Sequence, residues 1–375
     1  MNGQTTRREF LKDTGLVAGA IGVLNPMQAL AEAQTRATIK YPNGGAEHCI
    51  FIWLGGGAAQ IDMWDPKRVG DPKAKKAGSA YPAIDTAIPG VQVTEHLGQC
   101  AKILDRFCLL RTVNHDTKDE HAAATNRMHT GRPVSGTIVY PSIGSIVANQ
   151  RGKVTKGMPA YVVMGYPNLT RGPGFLGAQD GYIYLIDTEA GPSGLRRPSG
   201  ISDTRQTRRE QLLSGLRSGF RQRTSTDPAV KNYDSVIEEA FALGRGEFMN
   251  AFQLTNESGG LRESYGGEFG QRCLLARRLV QRGVRFIEVS FNLNFINGTG
   301  WDTHNEGQEK QHILIRQLDQ ALASLVLDLE KHKLFDKTLV VVATEFGRPA
   351  QFDDGGGRGH HSASFSVVTA GGGPK

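Results

Sequence analysis

The segment 339–348, with the sequence LVVVATEFGR, begins as an apolar run and ends in charged residues. Its first five residues have the length and composition of a strand that is buried on both faces of a parallel sheet. Glu345 and Arg348 then follow at the carboxyl end of this strand, and open α/β sheets bind ligands at that edge. The segment therefore predicts a parallel α/β sheet with a polar site beyond its strand ends.

Five other apolar runs have the character of strands in the same sheet. A helical pattern at 311–332 connects the runs at 284–290 and 339–343. This order of strand, helix and strand implies a right-handed parallel crossover. The remaining strands are predicted at 48–54, 103–113, 160–164 and 365–370.

The interval 202–283 is charged and helical in pattern, and we expect a helical insertion or cap there. The six arginines from Arg205 to Arg223 could meet an anionic polymer or a membrane surface, although charge runs are more often the solvated face of a helix. The 375 residues include 44 Lys and Arg against 37 Asp and Glu, a net charge of +7. Because the basic residues do not alternate with aromatic residues in a recognisable binding module, nucleic acid is not expected as a partner.

The first 33 residues have the order of an export signal. The pair Arg7-Arg8 precedes Phe10-Leu11-Lys12, an apolar run follows at 16–24, and small residues follow at 29–31. The apolar run is too short to span a bilayer, and no later segment reaches that length. We therefore expect a twin-arginine signal peptide at 1–33 and a mature protein without a transmembrane segment, located in the periplasm or at the cell surface.

Acidic and imidazole side chains recur where the predicted strands end. Because the carboxyl ends of parallel strands meet at one edge of a sheet, these side chains are expected to lie near one another. Carboxylate and imidazole together suit zinc, manganese or iron, so the first hypothesis is a metal-centred site. The residues concerned are Asp62, Asp65, His115, Asp302, His304, Glu345, His360 and His361.

Most of these residues also have a purely structural interpretation. Asp62 and Asp65 could cap turns, and Glu345 could form a structural salt bridge. Asp302 and His304 could form a hydrogen bond within their loop. A pure scaffold, however, has no reason to gather costly charged groups at one edge of a sheet.

Several motifs occur along the chain in a fixed order: the twin-arginine leader, the blocks at 53–66, 114–117 and 129–133, the segments 300–304 and 344–348, and the glycines at 371–373. Together they resemble the bacterial domain-of-unknown-function family 1501, which is sulfatase-like and belongs to the alkaline phosphatase superfamily. The resemblance implies a central, mostly parallel sheet flanked by helices. It also implies a divalent metal ion, zinc, manganese or calcium, at the carboxyl ends of the strands.

The resemblance assigns metal-ligand roles by position. Phe346 stands where the superfamily usually has a further ligand, which argues against a second metal ion. The implied ligands are Asp62 or Asp65, the pair Asp302 and His304, Glu345, and His360 or His361.

The residue at the position of the sulfatase nucleophile departs from the sulfatase pattern. Sulfatases place Cys or Ser at the start of a segment that ends in Thr-Gly-Arg, and the same count back from 130–132 reaches His121. Two mechanisms stay open: a threonine activated by the metal forms a covalent intermediate, or water activated by the metal attacks the ester directly while a histidine handles protons. In both, an arginine could clamp a sulfate or phosphate oxygen. The candidate catalytic residues are His115, Thr117, His121, Thr125, Arg132 and Arg348.

Two functions follow from these features. The first is an exported metal-dependent hydrolase of sulfate or phosphate esters, with an anionic small molecule or polysaccharide as substrate. The second is a catalytically inactive, sulfatase-like scaffold that binds or assembles partners outside the cytoplasm. The missing Ser or Cys nucleophile favours the second, and the charged groups at the strand ends favour the first.

The predicted organisation is a signal peptide at 1–33 followed by one sulfatase-like α/β domain at 45–375. The family continues beyond the glycines at 371–373 with further sheet, so we expect the sequence to be C-terminally incomplete. Ending there would leave the strand at 365–370 as an uncovered edge.

Overall fold

A seven-stranded, mostly parallel sheet lies at the centre of the computed structural model, which describes residues 44–155, 157–166, 169–224, 227–245, 247–291, 296–304 and 307–372. A separate small sheet pairs β2 (Ala83–Asp85) with β3 (Gln92–Thr94). The strands of the central sheet are β1 (His48–Trp53), β4 (Phe107–Val113), β5 (Tyr161–Met164), β6 (Ile183–Leu185), β7 (Phe286–Ser290), β8 (Thr338–Ala343) and β9 (Phe365–Gly371).

The strand order across the sheet is β4-β9-β8-β1-β7-β5-β6. β1 pairs in parallel with β8 and β7, and β5 pairs in parallel with β7 and β6. These pairings confirm the expected α/β class with a mostly parallel central sheet. The expectation that the strand at 365–370 forms an edge is wrong, because β9 pairs on both sides, antiparallel to β4 and β8.

The described part of the chain contains eight helices. Four of them, α4 to α7, fall within the interval 202–283, where the described residues form no strand. No described helix is long and apolar enough to cross a membrane, and the predicted signal peptide at 1–33 lies outside the described residues. The helices are α1 (Gly98–Lys102), α2 (His121–Thr130), α3 (Ile143–Arg151), α4 (Asp203–Arg223), α5 (Pro228–Arg245), α6 (Gly259–Tyr265), α7 (Glu268–Gln281) and α8 (Gly307–Lys331).

Both faces of β1 are covered by apolar side chains. Ile50 and Ile52 belong to the core cluster on one face, and Phe51 and Trp53 belong to the cluster on the other. Burying each such side chain contributes about 1.5–3 kcal/mol. Because the faces are closed, the polar loops gather beyond the carboxyl ends of the strands.

The long helix α8 connects β7 to β8, and β1 lies between these two strands in the sheet. Leu314, Leu318, Leu322 and Leu325 are all buried along α8. Their spacing of three and four residues places them on one stripe of the helix, which packs against α7 and the core. The loop before α8 is thereby held at the carboxyl edge of the sheet.

Candidate metal centre

Four side chains with metal-binding atoms converge beyond the strand ends: His121, Asp302, His304 and His360. One ligand atom from each lies within 4.8 Å of those of the other three. They come from three separate parts of the chain. His121 is the first residue of α2, Asp302 and His304 precede α8, and His360 precedes β9.

The tightest part of this cluster consists of Asp302, His304 and His360. Nε2 of His304 lies 3.1 Å from Nε2 of His360 and 3.1 Å from Oδ1 of Asp302. Nε2 of His360 lies 3.8 Å from the same oxygen. Ligands about 2.1 Å from a tetrahedral zinc ion lie about 3.4 Å apart, so these three atoms fit one shared ion. Burial and the nearby Arg348 lower the pKa of His360 to about 4, which leaves the neutral imidazole that a metal requires.

His121 lies next to these three residues. Its Nε2 atom is 3.5 Å from Oδ2 of Asp302. This nitrogen is buried and, within the described residues, has no hydrogen-bond partner. The contact with Asp302 is an ion pair when the imidazole is protonated, so Nε2 faces the carboxylate of the candidate centre.

Glu345 orients the imidazole of His121 through a hydrogen bond. Its Oε1 atom lies 2.7 Å from Nδ1 of His121 and accepts a 2.7 Å hydrogen bond from the backbone nitrogen of Gly56. Its other oxygen accepts from the hydroxyl of Thr344 at 3.1 Å. The carboxylates of Asp302 and Glu345 raise the pKa of His121 to about 9. Glu345 therefore contacts His121 and lies outside the group of four converging side chains.

Arg348 places a fixed positive charge beside the centre. Its Nη2 atom lies 2.5 Å from Oδ1 of Asp302, and its Nη1 atom lies 3.4 Å from Nε2 of His304. Burial lowers the pKa of Arg348, whereas Asp302 raises it. Burial would raise the pKa of Asp302, but His121 and Arg348 hold it well below its usual range. The guanidinium also donates to the carbonyl oxygens of Gly56, Gly57 and Arg358.

The loop after β1 needs glycine where it passes the centre. Gly56 has a φ of +123°, and a Cβ there would lie 2.6 Å from the backbone nitrogen of Asp302. Gly57 has a φ of +77°, and its Cβ would lie 2.6 Å from the ring of Phe346. A larger residue at either position would strain the loop and push the centre apart. The ring of Phe346 itself packs 4.4 Å from that of His360.

Asp62 and Asp65 do not join the cluster. The carboxylate of Asp62 is fully buried and accepts from Nε and Nη2 of Arg358 at 2.9 and 3.0 Å. The backbone nitrogen of Ala80 donates to it as well. Asp65 pairs with Lys67, which is half exposed, at 2.8 Å. Asp62 is thus the counter-ion of a buried arginine, and neither aspartate contributes an atom to the candidate centre.

Three other predicted residues lie near the centre without joining the cluster. Nε2 of His115 lies 2.5 Å from the carbonyl oxygen of Glu345, and its Nδ1 accepts from the backbone nitrogen of Thr117 at 3.2 Å. His361 pairs through its backbone with Gly347. These contacts connect the loop after β4 and the loop before β9 to the segment after β8.

A cavity of about 590 Å³ is lined by two residues of the centre, His121 and Asp302. Thr125 lines it, whereas Arg132 is exposed and does not. Arg171 and Thr299 also line it, and neither belongs to the motifs described above. One sequence feature could have pointed to Arg171. Glu288 is a charged residue inside an otherwise apolar strand, and it forms a buried ion pair with Arg171.

This chain matches the profile of a family described as "Protein of unknown function (DUF1501)" over residues 46–375. A search of curated proteins found no match.

Several solved structures are similar to this chain at low sequence identity. The lipoteichoic acid synthase LtaP from Listeria monocytogenes has 9% identity and a TM-score of 0.39, over 92% of this chain and 71% of that chain. The alkaline phosphatase from the Antarctic bacterium TAB5 has 11% identity and a TM-score of 0.34, over 87% and 92%. The PsFucS1 sulfatase from Pseudoalteromonas sp. has 9% identity and a TM-score of 0.36, over 94% and 67%. At TM-scores of this size we take no function from these structures.

Proposed function

Because this chain belongs to the DUF1501 family of proteins of unknown function, we propose its function from its own site: it is a metal-dependent hydrolase of sulfate or phosphate esters. The observation that carries this proposal is the convergence of Asp302, His304 and His360 at one edge of the sheet. The cavity that Asp302 and His121 line has room for a small anionic ester or for part of a polysaccharide chain.

Asp302, His304 and His360 would hold one divalent ion. Three protein ligands leave a coordination position open, as in catalytic zinc sites, and two imidazoles suit zinc or manganese better than calcium. The bound ion would supply activation of water and would offset negative charge on the ester. We expect a single ion per chain, because the guanidinium of Arg348 already lies beside Asp302 and His304.

His121 is placed to move a proton in this reaction. Glu345 occupies its Nδ1 atom, so Nε2 is the atom that can exchange a proton with water or with the departing alcohol. Arg348 orients the carboxylate of Asp302 and keeps it ionised. By the resemblance of the segment 121–132 to the sulfatase pattern, His121 takes the position of the nucleophile, which favours direct attack by water over a covalent intermediate.

An inactive binding scaffold is the second candidate function. The segment 121–132 contains no serine or cysteine, and neither type is present among the described residues that line the cavity. In this case the metal would be structural and no ester would be turned over.

We also propose that the twin-arginine pathway exports the protein to the periplasm or cell surface. The pattern at 1–33 supports this location. Fusing residues 1–45 to a reporter that is active only after export tests it. Replacing Arg7 and Arg8 by lysine should abolish reporter activity, and unchanged activity would refute this route.

Metal content tests the proposed centre. In protein exported natively, plasma mass spectrometry should find close to one metal ion per chain. Asp302→Ala and His360→Ala should each lose the metal, whereas His312→Ala changes a histidine outside the centre and should retain it. A folded wild type without metal would refute the hydrolase.

Measured rates of ester hydrolysis then distinguish the two candidate functions. Aryl sulfates and aryl phosphates would be screened with the metal-loaded wild type and with Asp302→Ala. Hydrolysis that is lost in the variant supports the hydrolase. Stoichiometric metal without turnover of any ester supports the scaffold.

A further inference from the structure

One wall of the cavity carries an arginine that the metal centre does not use. Arg171, in the segment after β5, and Thr299, in the loop after β7, line the cavity together with Asp302. The arginines that the sequence suggested as oxyanion clamps, Arg132 and Arg348, are not among the lining residues. Arg348 lies beside the centre but donates to carbonyl oxygens and to Asp302. Among the described residues that line this cavity, Arg171 is the one arginine.

The buried carboxylate of Glu288 fixes the guanidinium of Arg171. Nε of Arg171 donates to Oε1 of Glu288, and its Nη2 lies 3.5 Å from Oγ of Ser290. Glu288 also accepts from the hydroxyl of Tyr161 at 3.2 Å and lies 3.4 Å from Nε2 of His129. Among the described residues no acceptor contacts Nη1 of Arg171. Glu288 thus holds the guanidinium of Arg171 in place in the cavity wall.

Thr299 supplies a second unused donor on the same wall. Its Oγ1 atom is buried and, in the described part of the chain, has no hydrogen-bond partner. Its backbone nitrogen donates to Oδ1 of Asn297 at 3.1 Å, which holds the loop in place. Native proteins pair buried hydroxyl groups with protein, water or ligand, so an unpaired one in a cavity wall points to a ligand.

We propose that Arg171 and Thr299 form a subsite for a second anionic group of the substrate, separate from the ester group that reacts at the metal centre. A guanidinium edge and a hydroxyl suit an oxygen of a sulfate, phosphate or carboxylate. The substrate class is therefore an ester that carries at least two anionic groups. This inference rests on the proposed function, because it assigns the reacting ester group to the metal centre.

Aryl sulfonates test the subsite without turnover. A sulfonate presents three oxygens that share one negative charge, as a sulfate ester does, but its bond from sulfur to the ring is not hydrolysed. Benzenesulfonate carries one such group, and benzene-1,3-disulfonate and benzene-1,4-disulfonate carry two. In calorimetric titrations of the protein as purified, we expect at least one disulfonate to bind about tenfold more tightly than benzenesulfonate.

Two variants assign this preference to the subsite. Thr299→Val removes only the hydroxyl, and Arg171→Lys keeps a positive charge opposite Glu288, so both should fold. Each should reduce the preference by about threefold to tenfold and leave the Kd of benzenesulfonate unchanged. Thr207→Val and Arg151→Lys make the same replacements at exposed positions outside the cavity lining, and should keep the wild-type preference.

The results distinguish the subsite from the hydrolase. Disulfonates that bind no more tightly than benzenesulfonate would overturn the subsite, as would a preference that persists unchanged in both variants. A wild type without metal that still shows a preference dependent on Arg171 would support the subsite while refuting the hydrolase. Stoichiometric metal without the preference would overturn the subsite alone.

Discussion

Oε1 of Glu345 lies 2.7 Å from Nδ1 of His121, and this contact fixes the imidazole so that its other nitrogen lies beside the candidate metal centre. The side chain of Glu345 is 2% exposed. The backbone nitrogen of Gly56 and the hydroxyl of Thr344 also donate to its carboxylate. We therefore infer that Glu345 acts through His121, although the family resemblance implies that it is a metal ligand.

Glu345→Gln should leave the metal in place and impair proton movement by His121. We expect about one metal ion per chain, as in the wild type. Turnover of an aryl ester that the wild type hydrolyses should fall by about 10²–10⁴-fold, the usual contribution of a positioned acid or base. Plasma mass spectrometry and initial rates on the same sample measure the two quantities.

The matched control for this variant is Glu309→Gln, which alters an exposed glutamate on α8. It should change neither metal content nor rate. If Glu345→Gln lost its metal while the control kept it, Glu345 would be a ligand after all.

Asp62 and Asp65 are close in sequence but should differ in their effect on stability. Asp62→Ala leaves the buried guanidinium of Arg358 without its counter-ion, which should lower the free energy of unfolding by about 3–5 kcal/mol. Asp65→Ala mainly removes a contact with the half-exposed Lys67 and should cost less than about 1 kcal/mol. Unfolding in denaturant measures both losses. A small loss for both variants would contradict the structural role of Asp62.

The sheet could be predicted because its strands are short apolar runs. The runs at 160–164 and 284–290 correspond to β5 and β7, and 48–54 corresponds to β1. Strand order could not be predicted in the same way. An apolar run shows that a strand is buried but does not identify its neighbours, so the antiparallel position of β9 between β4 and β8 emerged only from the structure.

The location of the candidate site could be predicted better than the partner of each side chain. Polar residues at strand ends predicted a site at one edge of the sheet, and Asp302 and His360 come together there. Asp62 has the same kind of position in the sequence, but Arg358 binds its carboxylate, and the two are 296 residues apart. Local patterns do not contain such long-range pairings. Glu288 shows the same limit. A charged residue inside an apolar strand needs a buried partner, but the sequence pattern does not identify Arg171 as that partner.

Gly56→Ala should disturb the centre, whereas Gly98→Ala should not. The new Cβ of Gly56→Ala would lie 2.6 Å from the backbone nitrogen of Asp302, at a φ of +123° that alanine rarely adopts. We expect a loss of more than about 1 kcal/mol in the free energy of unfolding, together with weaker metal binding. Gly98 has a helical φ of −63° and open space around it, so alanine there should be neutral or stabilising by about 0.4–1 kcal/mol. Thermal unfolding and metal titration of the two variants test this difference.

Buried Glu288 should make the stability of the fold depend on pH in the acid range. Burial alone would raise the pKa of this carboxyl, but His129 and Arg171 lower it from 4.5 to about 2. Because the folded state holds the proton less tightly than the unfolded state, the contribution of Glu288 is fully present above pH 4.5. It is lost as the pH falls from 4.5 to about 2, and it amounts to about 3 kcal/mol.

Denaturant unfolding at a series of pH values, on protein treated with a chelator so that metal release does not intervene, measures this effect. The wild type should lose stability between pH 4.5 and 2 more steeply than Glu288→Gln, which has no carboxyl to protonate at this position. Glu309→Gln serves again as the control, since its exposed carboxylate should give the wild-type slope. Parallel pH profiles for the wild type and Glu288→Gln would show that the pair with Arg171 does not hold this carboxyl ionised.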